Sequence, residues 1–274
     1  MNEPQTKVVD KPLDGRTIVV TRAQAQAVPF AEMLRNYGAN IISCPTIEIT
    51  DPESYALLDE AIENLFGYDW IIFTSVNGVE YFQKRLDYLG HDVSDLDDLR
   101  VCAIGEATAA RLRDASVHVD VVPIKFKAEG VFEALQNFLG GPRQLQRLSF
   151  LIPRAAVARD YLPRALEEAG ARVDVVPAYR TVKPGDSEKR TVEALLLGGA
   201  VDCVTFTSSS TVKNFAALFD SSDLKPLLDG VAVACIGDIT SATALEFGLN
   251  CEIMPSEYTV TALAHAIAQY FSVH

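Results

Sequence analysis

Short apolar runs alternate with amphipathic segments along most of this chain. Residues 17–21, 39–44, 70–73, 100–104 and 117–122 read as strands, being brief, rich in β-branched side chains and bounded by turn residues. Between them the apolar positions switch to helical spacing. Phe30, Met33, Leu34 and Tyr37 fall on one face, as do Val79, Phe82, Leu86 and Leu89, and later Val131, Leu135 and Leu139; residues 107–112 form a further helix. In the second half Val212, Phe215 and Phe219 repeat one of these faces, and Leu263, Ile267 and Phe271 another. Such alternation predicts a mostly parallel sheet with helices on both faces and right-handed crossovers, about five strands to a domain.

The chain also repeats itself. Arg22 closes TIVVTR and Arg154 closes SFLIPR, an offset of 132 residues (22 to 154). Gly38-Ala39 and Gly170-Ala171, Pro45 and Pro177, Gly105 and Gly237, and Pro123 and Pro255 share that offset, while IIFTS (71–75) and VTFTS (204–208) are one residue further apart. A period this long describes two domains of one ancestry, not a solenoid.

Composition narrows the partners. With 274 residues, 49% of them hydrophobic, the chain can fill two cores. Lys and Arg total 24 against 37 Asp and Glu, a net charge of -13, so the average field repels nucleic acid and anionic membranes. A small anionic ligand remains allowed, because charges beyond roughly 8 Å are screened at physiological salt. Five cysteines (Cys44, Cys102, Cys203, Cys235 and Cys251) without a C-x-x-C read as buried reduced thiols of a cytoplasmic protein. The four histidines show no ligand spacing, so no metal is expected. Residues 1–13 carry no apolar signal core and read as a flexible lead-in, and no run of apolar residues is long enough to span a bilayer.

In parallel sheets, ligands bind beyond the carboxyl ends of the strands, where helix N-termini offer free N–H groups. Those ends carry Arg22, then Thr74, Ser75 and Asn77, then Gly105 and Thr108 in the first repeat. The second repeat offers Arg154, then Thr207, Ser208 and Ser209, then Gly237 and Thr240. Hydroxyls, backbone amides and one arginine per repeat suit a ligand with several carboxylates or phosphates in a cleft between domains. Each hydroxyl equally suits a helix N-cap, each arginine a surface ion pair, and each glycine a tight turn. No G-x-G-x-x-G, G-x-x-x-x-G-K-[ST] or G-x-S-x-G occurs, which counts against dinucleotides, nucleoside triphosphates and an α/β-hydrolase nucleophile.

Taken in order, GRTIVVTR, YDWIIFTSVNGVEYF, CAIGEATAARL, KAEGVFEAL, VPAYRTV, VDCVTFTSSSTVKNF and ACIGDITSATALEFGL resemble the uroporphyrinogen-III synthase family over residues 14–271. The resemblance implies two flavodoxin-like (Rossmann-like) parallel α/β domains joined by a two-stranded linker near residues 45–49 and 177–182. One domain then comprises 14–46 with 180–274 and the other 47–179. It implies closure of the linear tetrapyrrole hydroxymethylbilane to uroporphyrinogen III, a hydro-lyase reaction with loss of water and inversion of ring D, needing no cofactor and no metal. Tyr179 matches the tyrosine that aids departure of the hydroxyl. Thr74, Ser75, Asn77, Thr108, Thr207, Ser208, Ser209 and Thr240 match residues lining the cleft, and Arg22 and Arg154 fit carboxylate binding.

The expected partners are the small-molecule substrate and, as a candidate, the upstream hydroxymethylbilane synthase, with no nucleic acid and no membrane; the chain is expected to be a monomer. A two-domain anion-binding or sensor protein, or an inactive homologue of the synthase, fits the same pattern, although no helix-turn-helix or other output module is attached.

Overall fold

The computed structural model describes residues 11–273. The chain opens with β1 (Thr17–Val20), α1 (Gln24–Asn36), β2 (Asn40–Ser43), β3 (Glu48–Thr50) and α2 (Ala56–Glu63). It continues through β4 (Trp70–Phe73), α3 (Val76–Tyr88), β5 (Arg100–Ala103), α4 (Glu106–Asp114) and α5 (Ala128–Leu139). Then come β6 (Ser149–Ala155), α6 (Tyr161–Glu168), β7 (Arg172–Val182), α7 (Asp186–Leu197) and β8 (Cys203–Phe206). The last elements are α8 (Ser209–Leu218), β9 (Ala232–Cys235), α9 (Asp238–Glu246) and α10 (Val260–Val273).

These elements form two compact units. One holds the described residues through Glu48 and those from Val182 onward; the other holds Ile49–Thr181. The first unit has a sheet in the order β2-β1-β8-β9, and the second a sheet in the order β3-β7-β6-β4-β5. Every neighbouring pair in the first sheet is parallel, as are β7 with β6, β6 with β4 and β4 with β5 in the second. Counted within a repeat, both sheets run second, first, third, fourth, the flavodoxin-like order. The repeats are exchanged between the units: β1 and β2 of the first repeat share a sheet with β8 and β9 of the second through the β1–β8 pair, while β6 and β7 of the second share one with β4 and β5 of the first through the β6–β4 pair.

Alternation along each strand explains the uninterrupted apolar runs. In β4, Trp70 and Ile72 face one cluster and Ile71 and Phe73 the other; in β1, Ile18 and Val20 oppose Val19. Each sheet is therefore covered on both faces, and each of the four clusters belongs wholly to one unit. The duplication extends to ring geometry. Phe73 and Phe82 meet edge-on with centroids 5.5 Å apart, and Phe206 and Phe215 do so at 5.4 Å. Gly38 and Gly170 adopt φ of 103° and 89° just after α1 and α6, a left-handed turn that side chains resist and that redirects the chain into β2 and β7.

Two expectations need correction. The strand predicted at 117–122 shrinks to one bridge, Cys102 to Val121, and its counterpart in the other unit to Ala234 with Ile253. A side chain supplements the few backbone bonds there: Asp120 accepts the Val101 N–H and Glu252 the Val233 N–H, each at 2.8 Å. Asp202 and Asp69 likewise accept the N–H groups of Thr17 and Ser149 where β1 and β6 begin. Secondly, the predicted lead-in of residues 1–13 ends too late: Leu13 is fully buried and its N–H donates to the Tyr37 carbonyl. Residues 1–10 lie outside the described residues. Of the cysteines, Cys44, Cys102, Cys203 and Cys235 are buried and Cys251 is half-buried. No helix of the described residues is long and apolar enough to cross a membrane.

Candidate active site

The carboxyl ends of the strands sort the candidate residues differently from the repeats. In the first unit, β1 leads to Arg22, β8 to Thr207–Ser209, and β9 to Gly237, with Thr240 in the first turn of α9. In the second, β6 carries Arg154 near its end, β4 leads to Thr74, Ser75 and Asn77, β5 leads to Gly105 and Thr108, and Tyr179 lies on β7. Arg22 thus shares an edge with Ser208, not with its sequence neighbour Ser75.

Within the second unit, Ser75 is the N-cap of α3 and accepts the Gly78 N–H at 2.9 Å. The same oxygen lies 3.0 Å from the Tyr179 hydroxyl. Tyr179 is 7% exposed, and its ring centroid is 5.7 Å from that of Tyr81, whose hydroxyl donates to the Ile49 carbonyl. Packing and hydrogen bonding therefore fix one tyrosine hydroxyl at a helix N-terminus, the positive end of the helix dipole. Tyr81, in the second turn of α3 between Val79 and Phe82, is not among the residues the sequence singles out. Thr108 is buried, and Thr74 and Asn77 are half-buried.

In the first unit Ser208 caps α8, accepting the Thr211 N–H at 3.2 Å and meeting Ser210 Oγ at 2.8 Å, while Ser209 donates to the Ile239 carbonyl at 3.2 Å. Thr207 is half-buried and Thr240 buried. Thr21, beside Arg22, turns inward and donates to the Thr205 carbonyl at 2.6 Å, so its role is to hold β1 against β8.

The two arginines share an unusual feature. Arg22 Nε and Arg154 Nε are both buried and both lack a protein hydrogen-bond partner. Buried donors are normally satisfied, at about 1–3 kcal/mol each when they are not. Arg22 otherwise makes one exposed contact, Nη2 to Gln26 Oε1 at 3.3 Å, and burial lowers its pKa below the ordinary arginine value. Arg154 is more occupied. It donates to the Arg159 carbonyl at 2.8 Å and to Asp160, whose carboxyl it holds below the usual carboxylate range.

A cavity of about 470 Å³ lined by Arg16, Asp202, Asp229 and Glu252 lies at the amino ends of β1, β8 and β9, the opposite edge of that sheet. Two of its acidic side chains, Asp202 and Glu252, accept strand N–H groups, so it belongs to the scaffold. Among the described residues no group of three His, Cys, Asp or Glu is placed to hold a metal.

Comparison with known proteins adds the lineage. The family model described as Uroporphyrinogen-III synthase HemD matches residues 28–265. The chain is 36% identical to the uroporphyrinogen-III synthase of Synechococcus elongatus, over 96% of this chain and 98% of the relative. It is 30% identical to that of Chlorobaculum parvum, over 93% and 98%. Among solved structures, a mutant uroporphyrinogen III synthase of Thermus thermophilus aligns with a TM-score of 0.62 at 17% identity, over 94% of this chain and all of the other. The Helicobacter pylori uroporphyrinogen-III synthetase aligns at 0.57 and 19%, over 93% and 99%. These two share the two-domain α/β fold. With relatives matched end to end and the family model covering most of its length, this chain belongs to the uroporphyrinogen-III synthase family.

Proposed function

We propose that the chain is a cofactor-free cyclising hydro-lyase that converts hydroxymethylbilane into uroporphyrinogen III, losing water and inverting ring D. The observation that carries this reading is the pair of arginines. At equivalent places in both units a buried guanidinium N–H waits without an acceptor, at the edge where helix N-termini end. A flexible substrate with eight carboxylates supplies acceptors for such guanidinium groups, and binding it at several points converts chain entropy into effective molarity. Donors from helix ends need no excess of lysine, which reconciles the net charge of -13 with a polyanionic substrate.

The Gly78–Ser75–Tyr179 chain of hydrogen bonds supports a role for the tyrosine. Ser75 Oγ accepts from Gly78 N–H and can donate its own proton to the Tyr179 oxygen. The tyrosine O–H is then left to donate to the departing hydroxyl of the substrate, polarised by the end of α3. Thr74, Asn77 and Thr108 on that edge, and Arg22, Thr207, Ser208, Ser209 and Thr240 on the other, take carboxylate or backbone-orienting roles; Arg154 joins them only by sharing its guanidinium with Asp160. The thiols fit a reducing cytoplasm.

Purified protein given freshly made hydroxymethylbilane is expected to yield isomer III well in excess of isomer I. Isomer I alone, at the spontaneous rate, would return the chain to the anion-binding or inactive-homologue readings. Tyr179→Phe should lower kcat by roughly 5- to 30-fold, the worth of about one to two hydrogen-bond energies, and leave measurable turnover. Unchanged turnover would remove the tyrosine from the mechanism.

A further inference from the structure

A second duplicated feature lies in the loops that follow the two fifth-strand bridges. Phe126 comes shortly after Val121, and Tyr258 shortly after Ile253, again 132 residues apart (126 to 258). Each ring lies against the glycine that opens the neighbouring helix. A Cβ on Gly105 would stand 3.2 Å from Phe126 Cδ1; on Gly237 it would stand 2.9 Å from Tyr258 Cδ1, with two more ring carbons within 3.1 Å. Neither glycine needs its conformational freedom, because both have extended φ, -170° and 178°. The glycines are there for the rings, not for a turn.

The rings nonetheless remain 67% and 60% exposed. Ile124 (98% exposed) shares the loop of Phe126, and Ile239 (80% exposed) stands in the first turn of α9 next to Asp238, which accepts the Tyr258 hydroxyl. Large apolar surface is thus left in water at the carboxyl edges, amid hydroxyls and arginines. A site for anions alone has no use for it. A ligand whose carboxylates are carried on flat, apolar rings does, since an aromatic face contributes about 0.5–1.5 kcal/mol per ring pair beyond area burial.

We propose that Phe126 and Tyr258 are substrate-contacting residues, each presenting its ring to a pyrrole of the tetrapyrrole. The proposal rests on the functional reading above. The side-chain-free glycine lets the ring lie low over the helix start, so that a pyrrole stacked on it keeps its carboxylates within reach of the helix N–H groups. Tyr258 is fixed further by its bond to Asp238.

The test is steady-state kinetics with hydroxymethylbilane, isomer analysis of the product, and equilibrium dialysis against uroporphyrinogen III, on Phe126→Ala, Phe126→Leu, Tyr258→Ala and Tyr258→Phe. Phe66→Ala is the control, an aromatic 88% exposed that precedes β4 at the amino edge. Each alanine variant should raise KM and weaken product binding by about 2- to 12-fold, with kcat changed less. The double alanine variant should release substrate that closes spontaneously to isomer I. Phe126→Leu should fall between, and Tyr258→Phe should match the parent. Alanine variants with unchanged melting, KM, dialysis constant and isomer ratio would overturn the proposal, as would an equal loss in the Phe66 control. A parent protein making no isomer III would instead overturn the functional reading, and the dialysis comparison would still decide whether the rings contact the tetrapyrrole.

Discussion

Expressed alone, residues 49–181 are expected to fold cooperatively, whereas residues 14–145, a piece of similar length cut along the repeat, are not. The excised unit keeps both of its hydrophobic clusters, from Leu58 and Phe73 on one face to Trp70, Phe150 and Leu166 on the other. At about 130 residues it is long enough to bury a core of its own. The repeat fragment keeps β1 without β8 and β4 without β6. It loses Phe150, which stacks on Trp70 with centroids 6.2 Å apart, and the Thr205 carbonyl to which the buried Thr21 hydroxyl donates. Circular dichroism melts with sedimentation of the two fragments check this. A monomeric repeat fragment with a sharp melt would mean that the exchange of strands is a minor preference of the chain.

Truncating the paired core rings gives the second large effect. Phe73→Ala within the 49–181 fragment should cost about 3–5 kcal/mol, the range for a fully buried phenylalanine whose cavity cannot collapse. Phe73 is 0% exposed and packs on Phe82, itself 0% exposed, between sheet and helix α3. Against a domain stability on the order of 7–20 kcal/mol for this length, such a loss is a large fraction of the total. Urea unfolding should show the midpoint fall while the slope stays constant. A loss under about 1.5 kcal/mol would show that the neighbours refill the space, and that the ring pair does not anchor the sheet.

Most of the scaffold is legible in the sequence because burial on both sheet faces imposes simple periods. Residues 70–73 form the strand their apolar run predicts, and Val79, Phe82 and Leu86 form the buried face their spacing predicts. The fifth strands are shorter than their pattern predicts because Val117 and Val121 are buried like strand residues, yet carboxylates of Asp120 and Glu252 take the edge N–H groups that a carbonyl would otherwise take. A side-chain acceptor has no hydrophobic signature, although its recurrence at the repeat offset was there to be read. The candidate site was legible only in part. Strand ends and hydroxyls follow from periodicity, but the bond between Ser75 and Tyr179 joins residues 104 apart that no local pattern connects. Phe126 and Tyr258 carry no signal in the sequence, because an exposed aromatic in a loop has no period and the glycine beneath it is more than 20 residues away.

The exchange of strands between repeats also sets a timetable on the ribosome. Ile49–Thr181 is contiguous and can close as soon as it has emerged, but β1, α1 and β2 must wait for β8 and β9. At roughly 5–20 residues per second the opening segment spends on the order of ten to forty seconds with its apolar faces unmatched. This segment is made well before its partners, and it is there that a nascent-chain chaperone has most to protect.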